Sequence, residues 1–393
     1  MHTVITGIAR TPIGRFGGAF QPLQAVDLGA AAIGAALERS GLEPTRVDEV
    51  LFGHVIQAGT GQITSRQAAV RAGIPMTVPT TTINKVCLSG MAAIAMADRD
   101  IRIGDATVVM AGGMESMSNA PYLIPSARYG ARMGDAAMVD SMTHDGLWCA
   151  FDHCTMGESS DSKNAALGIG RAEQDEWSAE SHRRAAAAAD RGGYDGEIVP
   201  VAVPQRKGAP VMVSVDEGIR RETTMDSWGA LRPVFHGEGT ITAGNASQIS
   251  DGGAAVVLAS RQAAEAAGLP IVAEILGYGQ VGGPDATLHE RPAEAMRMAL
   301  KRTGMAPSDL DLVEINEAFA AVALWSARML DLSHDRVNVH GGAIALGHPL
   351  GATGARIVVT LINALRARGG GVGGAALCGG GGQGDALILA VNG

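Results

Sequence analysis

Cys87 is the first residue whose type and position could support chemistry. It lies in Ile83-Asn-Lys-Val-Cys-Leu-Ser-Gly90, where a predicted strand gives way to a helix. A thiol at a helix N-terminus faces unpaired backbone N–H groups and the positive end of the helix dipole, and both stabilise a thiolate. A lone cysteine is more often a buried structural residue, and the neighbouring Ser89 is an alternative nucleophile whose position favours a capping role. Cys87 is therefore a candidate nucleophile.

Two further candidates, His348 and Cys378, lie in glycine-rich turns. His348 stands at a predicted strand-to-helix turn, where open α/β sheets place their sites, although an isolated histidine is more often structural. Cys378 precedes Gly379-Gly-Gly-Gly-Gln-Gly384, which fits the pattern G-x-G-x-x-G. A dinucleotide fingerprint needs a following helix, whereas a strand is predicted here. The glycine tract instead predicts a backbone nest whose N–H groups can face an oxyanion.

Asn316 and a second pair of cysteines carry weaker signals. Asn316 ends a predicted strand, where its amide could bind a ring nitrogen, hold a water or cap the next helix. Cys149 and Cys154 enclose His153 in a C-x4-C pattern. A zinc site would need a second ligand pair at suitable spacing, and the sequence has none. We therefore predict ordinary thiols there and no metal site.

The overall composition excludes several classes of protein. The 393 residues are 46% hydrophobic and 18% charged, which excludes global disorder, and the 54 glycines follow no three-residue period, which excludes collagen. The net charge of −9, without a basic stripe, argues against nucleic-acid binding. No apolar run reaches about 18 residues, so we predict no membrane span. Four cysteines are no disulfide framework, which suits a reducing cytoplasm.

The elements that must position these residues form an internal repeat. Apolar, β-branched runs alternate with Ala-rich helical stretches, which is typical of an α/β protein with buried, mostly parallel strands. Residues 41–53 and 304–316 share Gly, Pro, Asp and Val positions, and both predict a helix end, a proline turn and a strand. Residues 83–113 and 337–382 also correspond. We therefore predict two similar α/β halves.

Between the halves, residues 119–245 differ in composition. The segment is rich in methionine and contains two charge-rich predicted helices around 172–191. A surface insertion would account for it. Flexible methionine surfaces adapt to apolar ligands, however, and long insertions in compact folds are often functional. We favour the interpretation that this segment is a lid that covers a bound ligand.

Four motifs, in this order along the chain, resemble the thiolase family. They are Asn84-Lys-Val-Cys87-Leu-Ser-Gly90, Asn316-Glu-Ala-Phe319, Gly347-His-Pro-Leu-Gly351 and Cys378-Gly-Gly-Gly-Gly-Gln-Gly384. The resemblance covers essentially the whole chain and is greatest to the short-chain biosynthetic branch. It implies an α/β fold with a duplicated βαβαβαββ core, in five α-β-α-β-α layers, and an inserted loop domain. The implied domains are an N-terminal half (1–118, completed by 246–268), the loop domain (119–245) and a C-terminal half (269–393).

The resemblance also implies a role for each matched catalytic residue. Cys87 would be the nucleophile that carries the acyl group as a thioester, and Cys378 the acid/base that deprotonates a second acetyl-CoA. His348 would activate Cys87 and form an oxyanion hole with a water held by Asn316. Backbone N–H groups of Cys87 and Gly380 would form a second oxyanion hole. Dividing a condensation into acyl transfer and carbanion attack suits two cysteines better than one.

The implied substrates are coenzyme A thioesters, with no permanently bound cofactor. Residues that match substrate-binding positions of the family are Ser247, Arg220, Leu147, Met156, Phe235, Ala243 and Phe319. Ser247 would lie near the pantetheine arm, and Arg220 would lie near the nucleotide end unless it is only a solvated charge. The apolar residues would line the acyl and pantetheine tunnel or simply pack in the core. The resemblance further implies self-association as a dimer or tetramer.

The activity implied is a reversible Claisen condensation of two acetyl-CoA molecules to acetoacetyl-CoA and coenzyme A. The main alternative is a 3-ketoacyl-CoA thiolase that acts on longer chains in β-oxidation. More remote are a ketosynthase and a non-catalytic lipid carrier or scaffold of the same shape. Thr155 and Leu288-His289 stand where short-chain enzymes often carry His and Met, which leaves the acyl chain length open.

Overall fold

The computed structural model describes residues 2–392; Met1 and Gly393, the outer ends of the first and last predicted domains, lie outside the described residues. The strands are β1 (Thr3–Arg10), β2 (Gly14–Arg15), β3 (Glu49–Gly53), β4 (Thr80–Ile83), β5 (Val108–Ser116), β6 (Tyr122–Leu123), β7 (Val139–Asp140), β8 (Trp148–Cys149), β9 (Cys154–Thr155), β10 (Val201–Val203), β11 (Val211–Val213), β12 (Ser250–Ser260), β13 (Ala273–Gly282), β14 (Leu312–Ile315), β15 (Gly371–Gly379) and β16 (Gln383–Val391). The helices are α1 (Ala25–Ser40), α2 (Thr64–Arg71), α3 (Ser89–Ile103), α4 (Met156–Asn164), α5 (Arg171–Asp190), α6 (Met225–Gly229), α7 (Arg261–Ala266), α8 (Arg291–Thr303), α9 (Ala320–Met329), α10 (Ala343–Leu346) and α11 (Leu350–Ala367).

A ten-stranded sheet runs through the molecule in the order β14-β15-β16-β13-β1-β12-β5-β3-β4, with β2 attached to β12. β3 pairs in parallel with β4 and β5, and β14 pairs in parallel with β15. The ladders between β5 and β15 in this order are all antiparallel. The prediction of mostly parallel strands is therefore wrong. Continuous apolar runs indicate only that both faces of a strand are covered, and helices cover the antiparallel strands here as well.

Helices lie outside and between the two halves of this sheet, which meet only through two residue pairs of β1 and β13. α1 and α2 cover the outer face of the N-terminal half, and α8 and α9 cover that of the C-terminal half. α3 and α11 pack against each other and against strands of both halves. The layers therefore follow the order helix, sheet, helix, sheet, helix, which confirms the predicted five-layer α/β fold.

The internal repeat forms two equivalent units. α1 and α8 end at Gly41 and Gly304, whose φ values of 67° and 71° lie in the left-handed region that glycine adopts without strain. A proline turn and a strand with parallel partners, β3 or β14, follow each helix. The unit of α3 and β5 likewise corresponds to that of α11 and β15. The predicted duplication is confirmed.

The segment between β5 and β12 contains the insertion. It holds the hairpins β6–β7, β8–β9 and β10–β11 together with α4, α5 and α6. α5 is one helix of 20 residues, so the prediction of two helices around 172–191 is wrong. The Ala-rich sequence continues the helix, because alanine has the highest helix propensity and no glycine or proline interrupts it. The domain bounds, 119–245 among them, stay a prediction.

A buried ion cluster attaches the insertion to the core. Arg10, at the end of β1, donates from Nε to Glu197 at 2.6 Å and from its two terminal nitrogens to Asp216 at 2.7 and 2.9 Å. Both carboxylates belong to the insertion. Breaking such a pair costs about 3–5 kcal/mol, because it leaves an uncompensated buried charge. The cluster therefore holds the insertion against β1.

The central helices α3 and α11 approach each other at glycines. A side chain at Gly90, in the first turn of α3, would place its Cβ 2.8 Å from the backbone nitrogen of Ala355. A side chain at Gly354 would lie 2.3 Å from the backbone nitrogen of Met91. Only glycine permits distances this short. The first turns of the two helices therefore touch backbone to backbone, which also brings together the turns that precede them.

Candidate active site

Cys87 lies in the turn between β4 and α3, two residues before the helix begins at Ser89. The turn is strained, since the β-branched Val86 has a φ of 50°, a conformation that costs on the order of 1–3 kcal/mol. The Ser89 hydroxyl accepts from the backbone N–H of Lys85 at 2.8 Å and donates to the Val86 carbonyl at 2.6 Å. The Ser89 hydroxyl is therefore engaged in stabilising the turn, whereas a nucleophile would need that hydroxyl free to attack. Cys87 remains the candidate nucleophile.

His348 lies beside Cys87 and presents one defined ring nitrogen to it. Its Nε2 is 3.3 Å from the Cys87 Sγ, and its Nδ1 is 2.7 Å from the Thr353 hydroxyl. That hydroxyl donates its own proton to the Pro349 carbonyl at 2.8 Å, so it must accept from Nδ1–H. Nε2 is therefore the atom with a free lone pair. An oriented base in contact with a thiol is the arrangement that activates a nucleophile.

Burial sets the protonation states of this pair. It raises the pKa of Cys87 to about 12, a rise opposed by the backbone N–H groups of Cys87 and Gly380 and increased by Glu115. Burial, with a contribution from Arg356, lowers the pKa of His348 to about 3. The resting pair is therefore a neutral thiol and a neutral imidazole. Backbone N–H groups favour the thiolate, as expected at this position, but desolvation of the charged form outweighs them in the resting site.

The hairpin between β15 and β16 supplies the second cysteine and a backbone donor. Cys378 is 1% exposed, and burial, followed by the neighbouring Cys87, raises its pKa. Gly380 lines the same cavity as Cys87, and its backbone N–H opposes the rise in the pKa of Cys87. A side chain at Gly379 would lie 2.5 Å from Leu88, so glycine there lets the two turns meet. A strand follows the glycine tract, in agreement with a backbone nest and not with a dinucleotide fingerprint.

Asn316 follows β14 and is fully buried. Among residues 2–392, neither its amide oxygen nor its amide nitrogen has a hydrogen-bond partner. The N-cap of α9 is Phe319, so the capping interpretation of Asn316 is wrong. Buried polar groups that lack protein partners commonly bind ordered water. The geometry is compatible with the water-holding role of Asn316, which stays a prediction.

A cavity of about 60 Å³ joins the two cysteines, the histidine and the glycine tract, whereas Asn316 does not line it. Eight of the predicted residues line it: Cys87, His348, Cys378, Gly380, Leu147, Met156, Ser247 and Phe319. Six residues that the site prediction did not include complete the wall: Val86, Gly146, Leu288, Ala318, Leu350 and Gly379. The cavity therefore brings the two thiols, the imidazole and the backbone of the glycine tract to one narrow space.

The insertion supplies one wall of the cavity. Leu147 and Met156 lie at the two ends of hairpin β8–β9, and Met156 begins α4. Thr155 caps that helix, since its hydroxyl accepts from the Glu158 backbone N–H at 3.3 Å. Thr155 is not among the lining residues, whereas Leu288 is. Of the two departures from the short-chain pattern, only the one at Leu288 therefore reaches the cavity.

Three of the residues predicted to bind substrate, Phe235, Ala243 and Arg220, do not line the cavity. The ring of Phe235 packs on Gly157, near the start of α4. Ala243 is exposed on a turn. Arg220 is also exposed, and its guanidinium lies 5.9 Å from the centre of the Trp228 ring. Their contacts with coenzyme A stay predictions.

Glu115 and Thr353 are site residues that the sequence interpretation missed. The buried carboxylate of Glu115 accepts from the backbone N–H groups of Val55 and Ile56, each at 3.1 Å, and of Gly351 at 2.9 Å. It thereby ties the loop after β3 to the first turn of α11. A carboxylate near the end of an apolar strand is a usable signal for Glu115. No sequence signal marks Thr353, because its role depends on the hydrogen bond to His348, which only the fold reveals.

Comparison with known proteins agrees with this geometry. The family model described as "Thiolase, N-terminal domain" matches residues 3–262, and "Thiolase, C-terminal domain" matches residues 269–391. Together they cover nearly the whole chain. The chain therefore belongs to the thiolase family, and it is an acyltransferase.

Individual relatives are similar over their full length. The chain is 50% identical to the probable acetyl-CoA acetyltransferase of Mycolicibacterium smegmatis over 386 residues, which are 98% of this chain and 100% of the relative. It is 48% identical to the acetyl-CoA acetyltransferase of Cupriavidus necator, over 98% of both chains. The crystal structure of the Bacillus anthracis acetyl-CoA acetyltransferase superimposes with a TM-score of 0.96 at 41% identity, covering 99% of this chain and 98% of that one.

Membrane spans and metal sites are the other features to consider. Within residues 2–392, no helix is long and apolar enough to cross a membrane. The same part of the chain contains no group of three or more His, Cys, Asp or Glu side chains that could hold a metal ion. Cys149 and Cys154 face each other across hairpin β8–β9 as free thiols.

We predict that Thr353→Val slows acylation of Cys87 about tenfold or more, because Nδ1 of His348 loses the acceptor that fixes its tautomer and general-base catalysis weakens. The measurement is the single-turnover rate of acyl transfer from an acyl-CoA to Cys87. Thr353→Ser is the control, since it keeps the hydroxyl and should keep most of the rate. Wild-type acylation by Thr353→Val would contradict the assigned tautomer.

Proposed function

We propose that this protein catalyses the reversible condensation of two acetyl-CoA molecules to acetoacetyl-CoA and coenzyme A, through an acetyl group carried on Cys87. The observation that carries the proposal is the meeting of two thiols and one imidazole at one cavity. Cys87 Sγ lies 3.3 Å from His348 Nε2, and Cys378 lines the same cavity. Full-length similarity to proteins named acetyl-CoA acetyltransferase supports the same activity.

In the first half-reaction, Cys87 takes the acetyl group. Nε2 of His348 accepts the thiol proton while the sulfur attacks the thioester carbonyl carbon and forms a new carbon–sulfur bond. The backbone N–H groups of Cys87 and Gly380 stabilise the oxyanion. The bond to coenzyme A then breaks, and the departing thiolate takes a proton from Cys378. Acetyl-Cys87, imidazolium and a Cys378 thiolate remain, with charge conserved.

In the second half-reaction, the Cys378 thiolate removes a proton from the methyl group of a second acetyl-CoA. Burial raises the pKa of Cys378, so its thiolate is a strong base once formed. Protonated His348 and a water held by Asn316 donate to the enolate oxygen. The carbanion attacks the acetyl carbonyl, acetoacetyl-CoA forms, and the Cys87 sulfur leaves and recovers its proton from His348.

A small cavity favours the acetyl group over the longer chains of the alternative 3-ketoacyl-CoA thiolase. The cavity is narrow, at about 60 Å³, and Leu288 closes part of the wall. The joint presence of both cysteines and the histidine at one cavity argues against a non-catalytic carrier. It also argues against a ketosynthase, which would usually use a second His or Asn in place of Cys378.

We further propose that coenzyme A thioesters are the substrates, with no resident cofactor, and that the protein assembles as a dimer or tetramer in the cytoplasm. The segment from β6 to β7 supports assembly, because it exposes Tyr129 at 83% and Met133 at 98%, and exposed apolar patches often mark protein contacts. The four cysteines are free thiols, which suits a reducing compartment and so supports the proposed cytoplasmic location. Light scattering on the purified protein measures the number of subunits, and a monomer would contradict the assembly.

The central test separates the two cysteines. We predict that Cys378→Ala still forms acetyl-Cys87 from acetyl-CoA but loses condensation by about 100-fold or more, because it lacks the base for the second step. Cys87→Ser should form no acetyl-enzyme. The measurements are peptide mass spectrometry of the acetylated residue and the rate of acetoacetyl-CoA formation. Cys149→Ala, which removes a thiol outside the cavity, should keep both steps. Wild-type condensation by Cys378→Ala would refute its role as the base.

A second test concerns chain length. We predict that kcat/KM is higher for acetoacetyl-CoA than for a 3-ketoacyl-CoA of about eight carbons, and that Leu288→Ala narrows this ratio by about tenfold, in line with the worth of a pocket methylene. Leu42→Ala is the matched control, since Leu42 is as deeply buried (5% exposed against 4%) but does not line the cavity. A wild-type preference for the longer substrate would favour the alternative thiolase.

A further inference from the structure

A buried ion pair connects the two turns that carry the cysteines. Nζ of Lys85 lies 2.7 and 3.0 Å from the two carboxylate oxygens of Asp385. Lys85 is two residues before Cys87. Asp385 lies in β16 directly opposite Leu377, the residue before Cys378. The pair therefore ties the nucleophile turn to hairpin β15–β16 across 300 positions of sequence.

The environment of the pair makes it hard to separate. The side chain of Asp385 is 0% exposed and that of Lys85 is 22% exposed. Burial raises the pKa of Asp385, while Lys85 and the Tyr278 hydroxyl oppose the rise by favouring the carboxylate. Parting the two turns would leave a buried carboxylate without its cation, which is strongly unfavourable. Neither member lines the cavity, so the pair acts on the site only through the turns it joins.

Two apolar contacts lie beside the ion pair but cannot fix the register by themselves. Leu88 fills the space over Gly379, and Val86 packs near Gly380, at 2.5 and 3.5 Å from where an added Cβ would lie. Apolar contacts are non-directional, so they set how closely the turns approach. Hydrogen bonds have preferred directions. The two hydrogen bonds of Lys85 therefore fix how one turn is aligned along the other.

We propose that Lys85 and Asp385 are positioning residues that hold the Gly380 N–H and the Cys378 thiol in place against the Cys87 sulfur. The alignment matters because a misplacement of about 1 Å at a reacting centre costs on the order of 100-fold in rate. The kinetic consequence rests on the proposed function. The position of the Gly380 N–H relative to the Cys87 sulfur can be tested without it.

The kinetic experiment compares Lys85→Met and Asp385→Asn with wild type. We expect kcat for acetoacetyl-CoA cleavage to fall about tenfold to 100-fold, with little change in KM, because the reacting groups are displaced while the substrate surface is intact. Lys85→Arg keeps the cation and should recover most of the rate. Asp98→Asn is the matched control, since Asp98 is also a largely buried carboxylate (9% exposed) and pairs with Arg102 at 2.8 Å on α3.

A second readout is independent of thiolase activity. The rate at which iodoacetamide alkylates Cys87, located by peptide mass spectrometry, is measured against pH. The Gly380 N–H favours the Cys87 thiolate, so its displacement should move the rise in rate to higher pH in Lys85→Met and Asp385→Asn. Loss of a purely stabilising ion pair would lower the unfolding midpoint, as is expected for Asp98→Asn, and would leave this profile in place.

Two results would overturn the positioning role of Lys85 and Asp385. The first is that Lys85→Met and Asp385→Asn fold and keep wild-type kcat and an unchanged alkylation profile. The second is a loss of rate that only follows the folded fraction of each variant. If either variant fails to fold, Asp385→Glu keeps the charge and shifts its position, and an unchanged profile there has the same meaning. Shifted profiles in a protein whose wild type forms no acetyl-Cys87 would refute the proposed function but not the positioning role.

Discussion

The backbone contact between the first turns of α3 and α11 is the constraint on which the rest of the structure depends. Cys87 lies two residues before α3, and His348 lies two residues before α11, so the separation of these helices sets the separation of the two side chains. Gly90 and Gly354 permit that contact, since a Cβ at either would lie within 3 Å of backbone on the other helix. The abundance of glycine in the sequence thus has a specific purpose here. It lets two helices from different halves bring a thiol and an imidazole to 3.3 Å.

Burial has two opposing effects on the chemistry of this site. It disfavours charge on both Cys87 and His348, so the resting pair is neutral. It also excludes water, so that each hydrogen-bond donor inside is worth more to a charge that develops during the reaction. The donors at the Cys87 sulfur are backbone N–H groups fixed by the fold, and they need no rearrangement. The site is therefore neutral until the reaction of a substrate with Cys87 creates charge in it.

The cavity belongs to no single part of the chain. The N-terminal half contributes Cys87, the C-terminal half contributes His348 and Cys378, and the insertion contributes Leu147 and Met156. Each part is attached to its neighbours by buried polar groups, such as the cluster around the Arg10 guanidinium that holds the insertion to β1. The size of the acyl group that fits is consequently a property of all three parts together. Changes far from the cysteines can alter it.

Local patterns in the sequence determined the α/β class, the duplication and the identity of Cys87, His348 and Cys378 as candidates, because strand and helix periodicity, glycine stops and motif chemistry act over a few residues. The same locality explains the error in strand direction and the unforeseen desolvation of Cys87, because both depend on what packs against a segment. The continuity of α5, in contrast, follows from helix propensity within its own sequence. Only the tertiary structure decided the cavity wall, the pairing of Lys85 with Asp385 and the Asn316 amide, which has no partner within residues 2–392. The physical reason is distance along the chain: the groups that meet at Cys87 and at Lys85 are 261 and 300 positions away, and no local pattern encodes the alignment of two halves.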